Sequence, residues 1–588
     1  MQRARVPGGV AGRLGRWKLA VRLVPAALFV VPPAAGPALL RRLAVALPTL
    51  YRRAHRYAVE GLVSLGLTAL AVMIRDPRYL LTHSFWLDEG WVVDSVRAPL
   101  QQLRLVTAST PIGWTLLLRL VPPVGGPERY RVLPLAFAAL TALAAWRLGR
   151  MLGPPAQSWS WPYGLLCGIT GAASAAVLDH TWLKQYTAEA FVAVAIALLL
   201  ARVERAWSWR SLAMFAAGGT AGFLISNTAP LVSVAGLGGL WLTTITARRW
   251  SRLPALAATT VALGMADGIV YRALANKGNT HAMRSYWRSW YLTLDHGLGD
   301  TAEVVWGRFT AELGALGWGP WWLALALVVV GLVTLWRARL PAVALTPLAL
   351  GTELLALGLA RSYPFLESRT SIFYAALLTV TAATGLATLA CLALRSRATA
   401  PLAGAGVLVL GSLLVPGWIR AGDGHIPGEN VKHQVADVLA HRQLGDAVLV
   451  TFGASFSFAY YWPDPPTFVP TTAGTAVTFM PTFPDHPDLV LVHQPSSVSA
   501  MVQALEQAVC VGHGRLWVIT GSAEELDALR RRATGVRFSS PSGSADLALA
   551  TDGRCRAPCE SRTGGLIPTS PGCLRPVDHR PTASTLAR

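Results

Sequence analysis

Long apolar runs recur along this chain and constrain its fold more than any other feature. Each is close to the ~20 residues with which an α-helix crosses a bilayer. Of the 588 residues, 53% are hydrophobic and only 14% are charged, which excludes a soluble protein with a single core. We predict an α-helical polytopic membrane protein with about eleven transmembrane helices. The predicted spans are residues 57–74, 131–149, 162–179, 186–203, 211–226, 229–247, 253–272, 318–336, 341–360, 371–394 and 400–419.

The connections between these spans explain the net charge of +21. In a soluble protein such a surplus suggests nucleic acid, but in a membrane protein Lys and Arg gather in cytoplasmic loops and set the topology. Every second connection is rich in arginine, so we expect those connections to face the cytoplasm and predict no nucleic-acid partner. The arginines concerned are Arg52, Arg53, Arg56, Arg147, Arg150, Arg202, Arg205, Arg210, Arg248, Arg249, Arg252, Arg337, Arg339, Arg395 and Arg397.

This alternation predicts which segments lie on the outer face of a multi-pass cell-membrane protein. They are residues 75–130, 180–186, 274–317, 361–370 and everything after 420. Residues 1–50 are read as a basic cytoplasmic or interfacial arm, because four prolines interrupt the apolar stretch at 23–40. A cleaved signal peptide or an additional span in this arm would reverse the assignment, and a start codon placed too early is a further alternative.

The composition changes after the transmembrane part, residues 51–420. Residues 428–440 have a helical pattern, whereas 447–452, 488–492 and 515–520 have the pattern of buried strands. Ser522 and Glu525 have the spacing of a capping box and predict a helix at 523–532. We therefore predict a small extracytoplasmic α/β domain at 421–551. The tail at 552–588 is rich in Pro, Arg, Ser and Gly, and we expect it to be loosely ordered.

The cysteines divide into two groups. Cys167 and Cys391 lie in predicted spans and are expected to pack as small apolar residues. The other four lie in the outer domain and tail, where two disulfides with three possible pairings are permitted, and a zinc site is the less favoured reading. They are Cys510, Cys555, Cys559 and Cys573.

Two adjacent carboxylates, Asp88 and Glu89, follow the first span in the stretch HSFWLDEGW at residues 83–91. Ionisable groups at the edge of a bilayer carry a desolvation cost, which favours a chemical use. The alternative is a helix N-terminus that acidic residues stabilise. The tryptophans of this region, Trp86, Trp91 and Trp114, are expected to anchor interfacial helices at the depth of the lipid headgroups.

Two further outer segments carry charged and aromatic side chains. The connection at 179–189 contains Lys184, Tyr186 and Glu189, with the last two one helical turn apart. The segment at 361–369 contains Tyr363 and ends in Arg369. Acids and bases are therefore predicted to converge on the outer face.

This combination resembles the C-type glycosyltransferase superfamily (GT-C), which includes the protein O-mannosyltransferases and the aminoarabinose transferase of lipid A. The resemblance rests on Trp86-Leu-Asp88-Glu89, on Lys184-Gln-Tyr186 and on Tyr363-Pro-Phe before Arg369, and it extends across the membrane part in layout. The outer domain, with Tyr460-Tyr461-Trp462 after its first strand, also resembles the tail of bacterial members.

The resemblance implies transfer of a sugar from a polyprenyl-phosphate donor to an envelope glycan, lipid or protein. Asp88 would be the general base, and Glu89 would orient it, the acceptor or a divalent cation. Lys184 and Arg369 would hold the departing phosphate, with Arg284 and Arg288 as weaker candidates. The supporting residues would be Tyr186, Glu189 and Tyr363.

Each cation also has an ordinary structural reading. Arg369 could anchor a helix end at the headgroups, and Lys184 could snorkel to the interface. Arg284 and Arg288 stand in an aromatic and basic strip that could stack on sugar rings or simply lie on the membrane surface. No motif encodes the sugar, so mannose and arabinose are analogies only.

Other classes of function remain open at this point. Asp267 and Glu353 lie within predicted spans, as ionisable residues of a transporter or lipid-sugar flippase often do. Paired repeats with broken helices, which are typical of transporters, are not evident in the sequence. A membrane scaffold without catalytic activity is the third alternative.

Overall fold

A computed structural model describes most of the chain. The described residues are 37–107, 110–122, 124–152, 160–180, 182–274, 284–295, 297–395, 430–471, 478–492, 498–511, 515–540 and 544–551. By their internal contacts, residues 1–66 and residues 67–588 form two compact units. Most of the predicted arm at 1–50, the predicted span at 400–419 and the tail at 552–588 lie outside the described residues, as do the side chains of the four outer cysteines.

The described part of the membrane portion is helical. Helix α1, Pro37–Met73, begins in the first unit, where Arg56 and Glu60 form an ion pair of 3.1 Å within the helix. The helices that follow are α2 Pro77–Leu80, α3 Leu87–Arg97, α4 Leu103–Val106, α5 Ile112–Arg119, α6 Val132–Arg150, α7 Ser160–Ala173, α8 Ala175–Leu178, α9 Tyr186–Arg205, α10 Trp209–Ile225, α11 Ala229–Thr246, α12 Leu253–Leu274, α13 Leu298–Ala315, α14 Trp321–Arg337, α15 Pro341–Leu359 and α16 Ile372–Arg395.

Ten of the eleven predicted spans coincide with these helices, and the eleventh is the one outside the described residues. Within the described part of the chain, eight helical segments are long and apolar enough to cross a membrane. Helices α10 and α14 have 17 residues each. The prediction of an α-helical polytopic membrane protein is confirmed.

Small residues let the long helices approach closely, and the resulting packing holds the helices together. Burial of apolar side chains contributes little to helix association in a membrane, because lipid tails are themselves apolar. Helices α9 and α16 are the most buried of the long helices and contact each other. Where α14 crosses α16, a Cβ atom added at Gly331 would lie 1.9 Å from the carbonyl oxygen of Thr381, and one at Gly385 would lie 2.1 Å from that of Leu327. Only glycine permits backbones this close at both positions.

The C-terminal part contains a small α/β structure, as the strand pattern predicts. Its sheet has the order β4-β1-β5-β7-β6, in which β1 is parallel to β4 and β5, and β7 is antiparallel to β5 and β6. The strands are β1 Ala447–Val450, β2 Thr467–Pro470, β3 Phe479–Thr482, β4 Leu489–Leu491, β5 Arg515–Ile519, β6 Val536–Ser539 and β7 Asp546–Ala550, with β2 and β3 in a separate antiparallel pair. The helices are α17 Val431–His441, α18 Ser455–Tyr461, α19 Val498–Val511 and α20 Ala523–Arg532. Ser522 caps α20 by accepting from the Glu525 backbone N–H at 3.2 Å.

Helix α18 packs directly on α3, the helix that carries Asp88 and Glu89. A Cβ atom added at Gly90 would lie 2.5 Å from the backbone nitrogen of Ser457, so the glycine permits this contact. The Tyr461 hydroxyl accepts from the Phe85 backbone N–H at 3.0 Å and donates to Glu128 at 2.9 Å. Lys432 also pairs with Glu128 at 2.9 Å, so polar bonds fix the α/β structure against the segments that precede α3 and α6.

Candidate active site

The acidic pair lies in the first turn of α3, where carboxylates interact favourably with the helix dipole. Neighbouring residues on a helix point about 100° apart, so Asp88 and Glu89 face different surroundings. Asp88 is part of a charged cluster, whereas Glu89 is completely buried. The two carboxylates therefore have different bonding partners.

Asp88 lies between the two cations that sequence analysis assigned to the donor phosphate. Its Oδ2 is 2.8 Å from Nζ of Lys184 and 3.8 Å from Nη1 of Arg369. The side chains retain 15%, 12% and 30% exposure respectively, so the cluster is shielded but open on one side. Three segments far apart in the sequence thus meet at one carboxylate.

Glu89 is bound to Arg131, a residue that the sequence analysis did not single out. Arg131 Nε donates to Oε1 at 2.9 Å and Nη2 donates to Oε2, so the guanidinium holds the carboxylate with two bonds. Oε1 also accepts from the Leu183 backbone N–H at 2.8 Å. Glu89 was expected to orient Asp88, an acceptor or a divalent cation, and its bond to Leu183 also holds the segment that carries Lys184.

A signal for Arg131 was present in the sequence. It stands at the predicted outer end of the second span, opposite to the arginine-rich cytoplasmic connections. An isolated arginine at that end invites a search for a buried partner. Its other bonds, to the carbonyls of Leu80, His83 and Ser84 at 2.6 to 3.0 Å, order the loop that leads into α3.

Arg369 is held by acidic and aromatic neighbours. Its Nε donates to Glu367 at 3.0 Å, its Nη2 donates to the Tyr286 hydroxyl at 3.3 Å, and its guanidinium lies 5.5 Å from the centre of the Trp287 ring. Burial acts to lower the pKa of Arg369, but the hydrogen bond that Arg369 donates to Tyr286 and the nearby acidic groups outweigh it and raise the pKa. Arg369 therefore stays charged at every physiological pH.

The aromatic and basic strip, residues 284–291, contacts the site through its aromatic side chains. Arg284 and Arg288 are exposed, and Tyr286 and Trp287 between them contact Arg369. A second arginine missed by sequence analysis, Arg308 on α13, ties the strip to the segment of Arg369. It donates to the carbonyl oxygens of Trp290 at 2.7 Å, Ser289 at 2.9 Å and Phe365 at 3.2 Å.

Among the predicted supporting residues, Tyr186 and Glu189 are buried and Tyr363 is half-buried. The Tyr363 hydroxyl donates to the carbonyl oxygen of Thr370 at 2.7 Å and so closes the loop before α16. Tyr186 and Glu189 are buried in the first turns of α9, and the Tyr186 ring lies edge-on to His180 at 5.8 Å. Burial lowers the pKa of His180, so its imidazole is neutral at neutral pH. These side chains pack next to the charged cluster.

The tryptophans of the first outer segment differ from their predicted role. Trp91 and Trp114 are 8% and 0% exposed inside the protein, so the expectation that they anchor the membrane interface is wrong. Their indole N–H groups donate to the carbonyl oxygens of Val106 at 3.3 Å and Leu183 at 2.9 Å. The Trp91 ring packs against Phe456 and Phe479, and the Trp114 ring packs against Phe137, because a large apolar ring gains more from burial than at a surface.

The remaining acidic candidates lie in long helices. Asp267 on α12 accepts a hydrogen bond from Thr220 at 3.1 Å, and one oxygen of Glu353 on α15 is buried without a partner among the described residues. In that same part of the chain, no group of three or more His, Cys, Asp or Glu side chains could hold a metal ion. Cys167 and Cys391 are buried, as expected of small apolar residues.

The helical membrane part and the C-terminal α/β structure together have the GT-C fold. The apo crystal structure of ArnT from Cupriavidus metallidurans matches with a TM-score of 0.51 at 13% identity, over 85% of this chain and 100% of that one. The same protein bound to undecaprenyl phosphate matches with a TM-score of 0.46 at 13% identity, over 86% and 99%. The oligosaccharyltransferase of Archaeoglobus fulgidus, with zinc and sulfate, matches with a TM-score of 0.45 at 10% identity, over 83% and 73%.

At these identities the likeness to ArnT concerns the fold. No protein-family model matches the sequence, and no curated protein matches it.

Proposed function

We propose that this protein is a membrane glycosyltransferase that moves a sugar from a polyprenyl-phosphate donor to an acceptor outside the cytoplasm. The proposal rests on two contacts of Asp88, one with Lys184 at 2.8 Å and one with Arg369 at 3.8 Å. It joins a proton acceptor to two cations in one shielded site, as glycosyl transfer from a phosphate requires. ArnT, which shares the fold, has been crystallised with undecaprenyl phosphate, and the proposed donor belongs to the same class.

The reaction follows from the charges at the site. An acceptor hydroxyl attacks the anomeric carbon, the bond from that carbon to the phosphate oxygen breaks, and Asp88 takes the hydroxyl proton. The polyprenyl phosphate leaves with one additional negative charge, which Lys184 and Arg369 stabilise. Because both cations contact Asp88 in the free protein, the arriving phosphate takes over these partners and leaves the carboxylate available to the acceptor.

The location supports a lipid-linked donor. Nucleotide sugars are confined to the cytoplasm, so a transferase on the outer face needs a donor that the membrane carries. The topology predicted from the arginine-rich connections places Asp88, Lys184 and Arg369 on that face. The acceptor is then an envelope glycan, lipid or protein.

The test is a transfer assay on reconstituted protein with a panel of radiolabelled polyprenyl-phosphate sugars. Asp88→Asn keeps the shape of the side chain and is expected to reduce turnover about 10²- to 10⁴-fold, the usual contribution of a general base. Asp295→Asn, an exposed outer carboxylate, is the matched control and should retain full turnover.

The alternatives predict other results. If Asp88→Asn leaves transfer intact while Asp267→Asn abolishes flux of a lipid-linked sugar, the protein is a transporter. If both variants behave as wild type and no donor turns over, it is a scaffold. Either outcome refutes the enzyme proposal.

A further inference from the structure

Two indole rings, those of Trp86 and Trp182, contact each other at the starts of the segments that carry Asp88 and Lys184. Each tryptophan stands two residues before one member of the ion pair, and their ring centres are 6.3 Å apart in an edge-to-face arrangement. The bond from the Leu183 backbone N–H to Glu89 holds the two segments side by side. The same bond that brings Lys184 to Asp88 therefore also pairs the rings.

The Trp86 ring differs from the other tryptophans of this segment. The N–H groups of Trp91 and Trp114 each have a backbone acceptor, whereas Nε1 of Trp86 is buried and has no partner among the described residues. A buried donor without an acceptor costs about 1–3 kcal/mol. Trp86 and Trp182 are also only half-buried, unlike Trp91 and Trp114. This donor is suited to an acceptor from outside the chain.

We propose that Trp86 and Trp182 form the subsite for the sugar ring of the donor, an inference that rests on the proposed function. The anomeric carbon is bonded directly to the phosphate, so the ring must lie beside Lys184 and Arg369 and within reach of Asp88. The two indoles provide apolar faces at that position, and the Trp86 N–H donates to a ring hydroxyl.

The unpaired N–H decides between the two parts of the donor that could contact the rings. An isoprenoid chain contains no hydrogen-bond acceptor, so it would leave the indole N–H unsatisfied. A sugar hydroxyl accepts that bond and still has a proton to donate. The rings accordingly contact the sugar, and the polyprenyl chain lies elsewhere.

The experiment compares two kinds of ligand on the full-length protein in lipid nanodiscs. One is undecaprenyl phosphate, and the other is undecaprenyl phosphate carrying mannose, glucose, galactose or arabinose. The variants are Trp86→Phe, which removes the N–H and keeps a ring, and Trp182→Ala. Trp250→Phe, at a ring that is 57% exposed, is the control.

We expect both variants to weaken binding of at least one glycosylated lipid about tenfold, which corresponds to about 1.4 kcal/mol. Their affinity for undecaprenyl phosphate should stay within about twofold of wild type, which also shows that they are folded. Lys184→Gln should instead weaken both kinds of ligand, since both carry the phosphate.

Four outcomes would overturn the inference. An equal loss for both kinds of ligand in the tryptophan variants means that the rings contact the lipid or only support the fold. Unchanged binding of every ligand means that they contact none. If wild type binds undecaprenyl phosphate and none of the sugars increases its affinity, the sugar subsite is refuted but the proposal of a lipid-linked donor is not. If wild type binds neither kind, the proposed function fails too.

Discussion

Removing the charge of Glu89 should destabilise the protein far more than removing a surface carboxylate. Glu89 and Arg131 are 0% and 1% exposed, and the guanidinium makes two bonds to the carboxylate. Glu89→Gln keeps the size of the side chain and leaves the arginine charge buried without compensation, which costs about 3–5 kcal/mol. The exposed pair of Asp295 and Arg361 gives the contrast, because Asp295→Asn should cost less than about 1 kcal/mol.

The assay is unfolding by SDS in mixed micelles, followed by tryptophan fluorescence. A second variant, Glu89→Gln with Arg131→Met, removes both charges and should recover part of the lost stability, because no uncompensated charge remains. It should not recover sugar transfer. The carbonyl groups of Leu80, His83 and Ser84 lose their donor in this variant, so the loop before α3 is no longer held.

One result would refute this reasoning directly. If Glu89→Gln and Asp295→Asn shift the free energy of unfolding by the same amount, Glu89 and Arg131 are not coupled in a buried pair. Full transfer activity in the double variant would show that the pair does not align the site.

Three further predictions concern the surroundings of the site. Gly90→Ala should destabilise the protein by about 1–3 kcal/mol in the same assay, because the new methyl group meets the backbone of Ser457. Tyr461→Phe removes the hydroxyl bonded to Glu128, so hydrogen exchange should rise in α17 and α18. Burial raises the pKa of the Glu312 carboxyl to about 8, above its value of about 4.5 in the unfolded chain. The stability that this carboxyl contributes is therefore complete below about pH 4.5 and is lost as the pH rises through 8. Glu312→Gln should raise the Tm at pH 9 but not at pH 4.

Matched variants control for each of these changes. Gly268→Ala adds a methyl group to a long helix where nothing lies within 4 Å, and it should not destabilise the protein. Tyr271→Phe alters a tyrosine that is 56% exposed and should leave exchange in α17 and α18 unchanged. Glu303→Gln, at an exposed position on the same helix as Glu312, should leave the pH dependence of Tm unaltered. A control that responds like its partner variant would contradict the corresponding prediction.

Local patterns predicted the secondary structure well. The bilayer-length apolar runs correspond to helices, and the runs at 447–452, 488–492 and 515–520 contain strands β1, β4 and β5. These predictions succeed because the burial of a helix or strand, on all sides or on one face, determines the spacing of apolar residues along the sequence. The predicted bounds of the domains and the orientation in the membrane remain predictions.

The sequence by itself determined that Asp88, Lys184 and Arg369 are charged groups in segments between apolar runs, and the resemblance assigned them to one reaction. Only the tertiary structure decided that Asp88 contacts both cations, and that Glu89 binds Arg131 and the Leu183 backbone N–H. It also showed that Tyr286 and Trp287, which lie between Arg284 and Arg288, contact Arg369.

The sequence predicted the helices and strands but not the partners of the buried charges, because the two depend on interactions of different range along the chain. A helix or strand is selected by residues a few positions apart, and the sequence displays that spacing directly. The partner of a buried charge is selected by desolvation, which favours whichever opposite charge the packed helices bring within reach. Glu89 and Arg131 are 42 residues apart, so no local pattern could reveal that they form a pair.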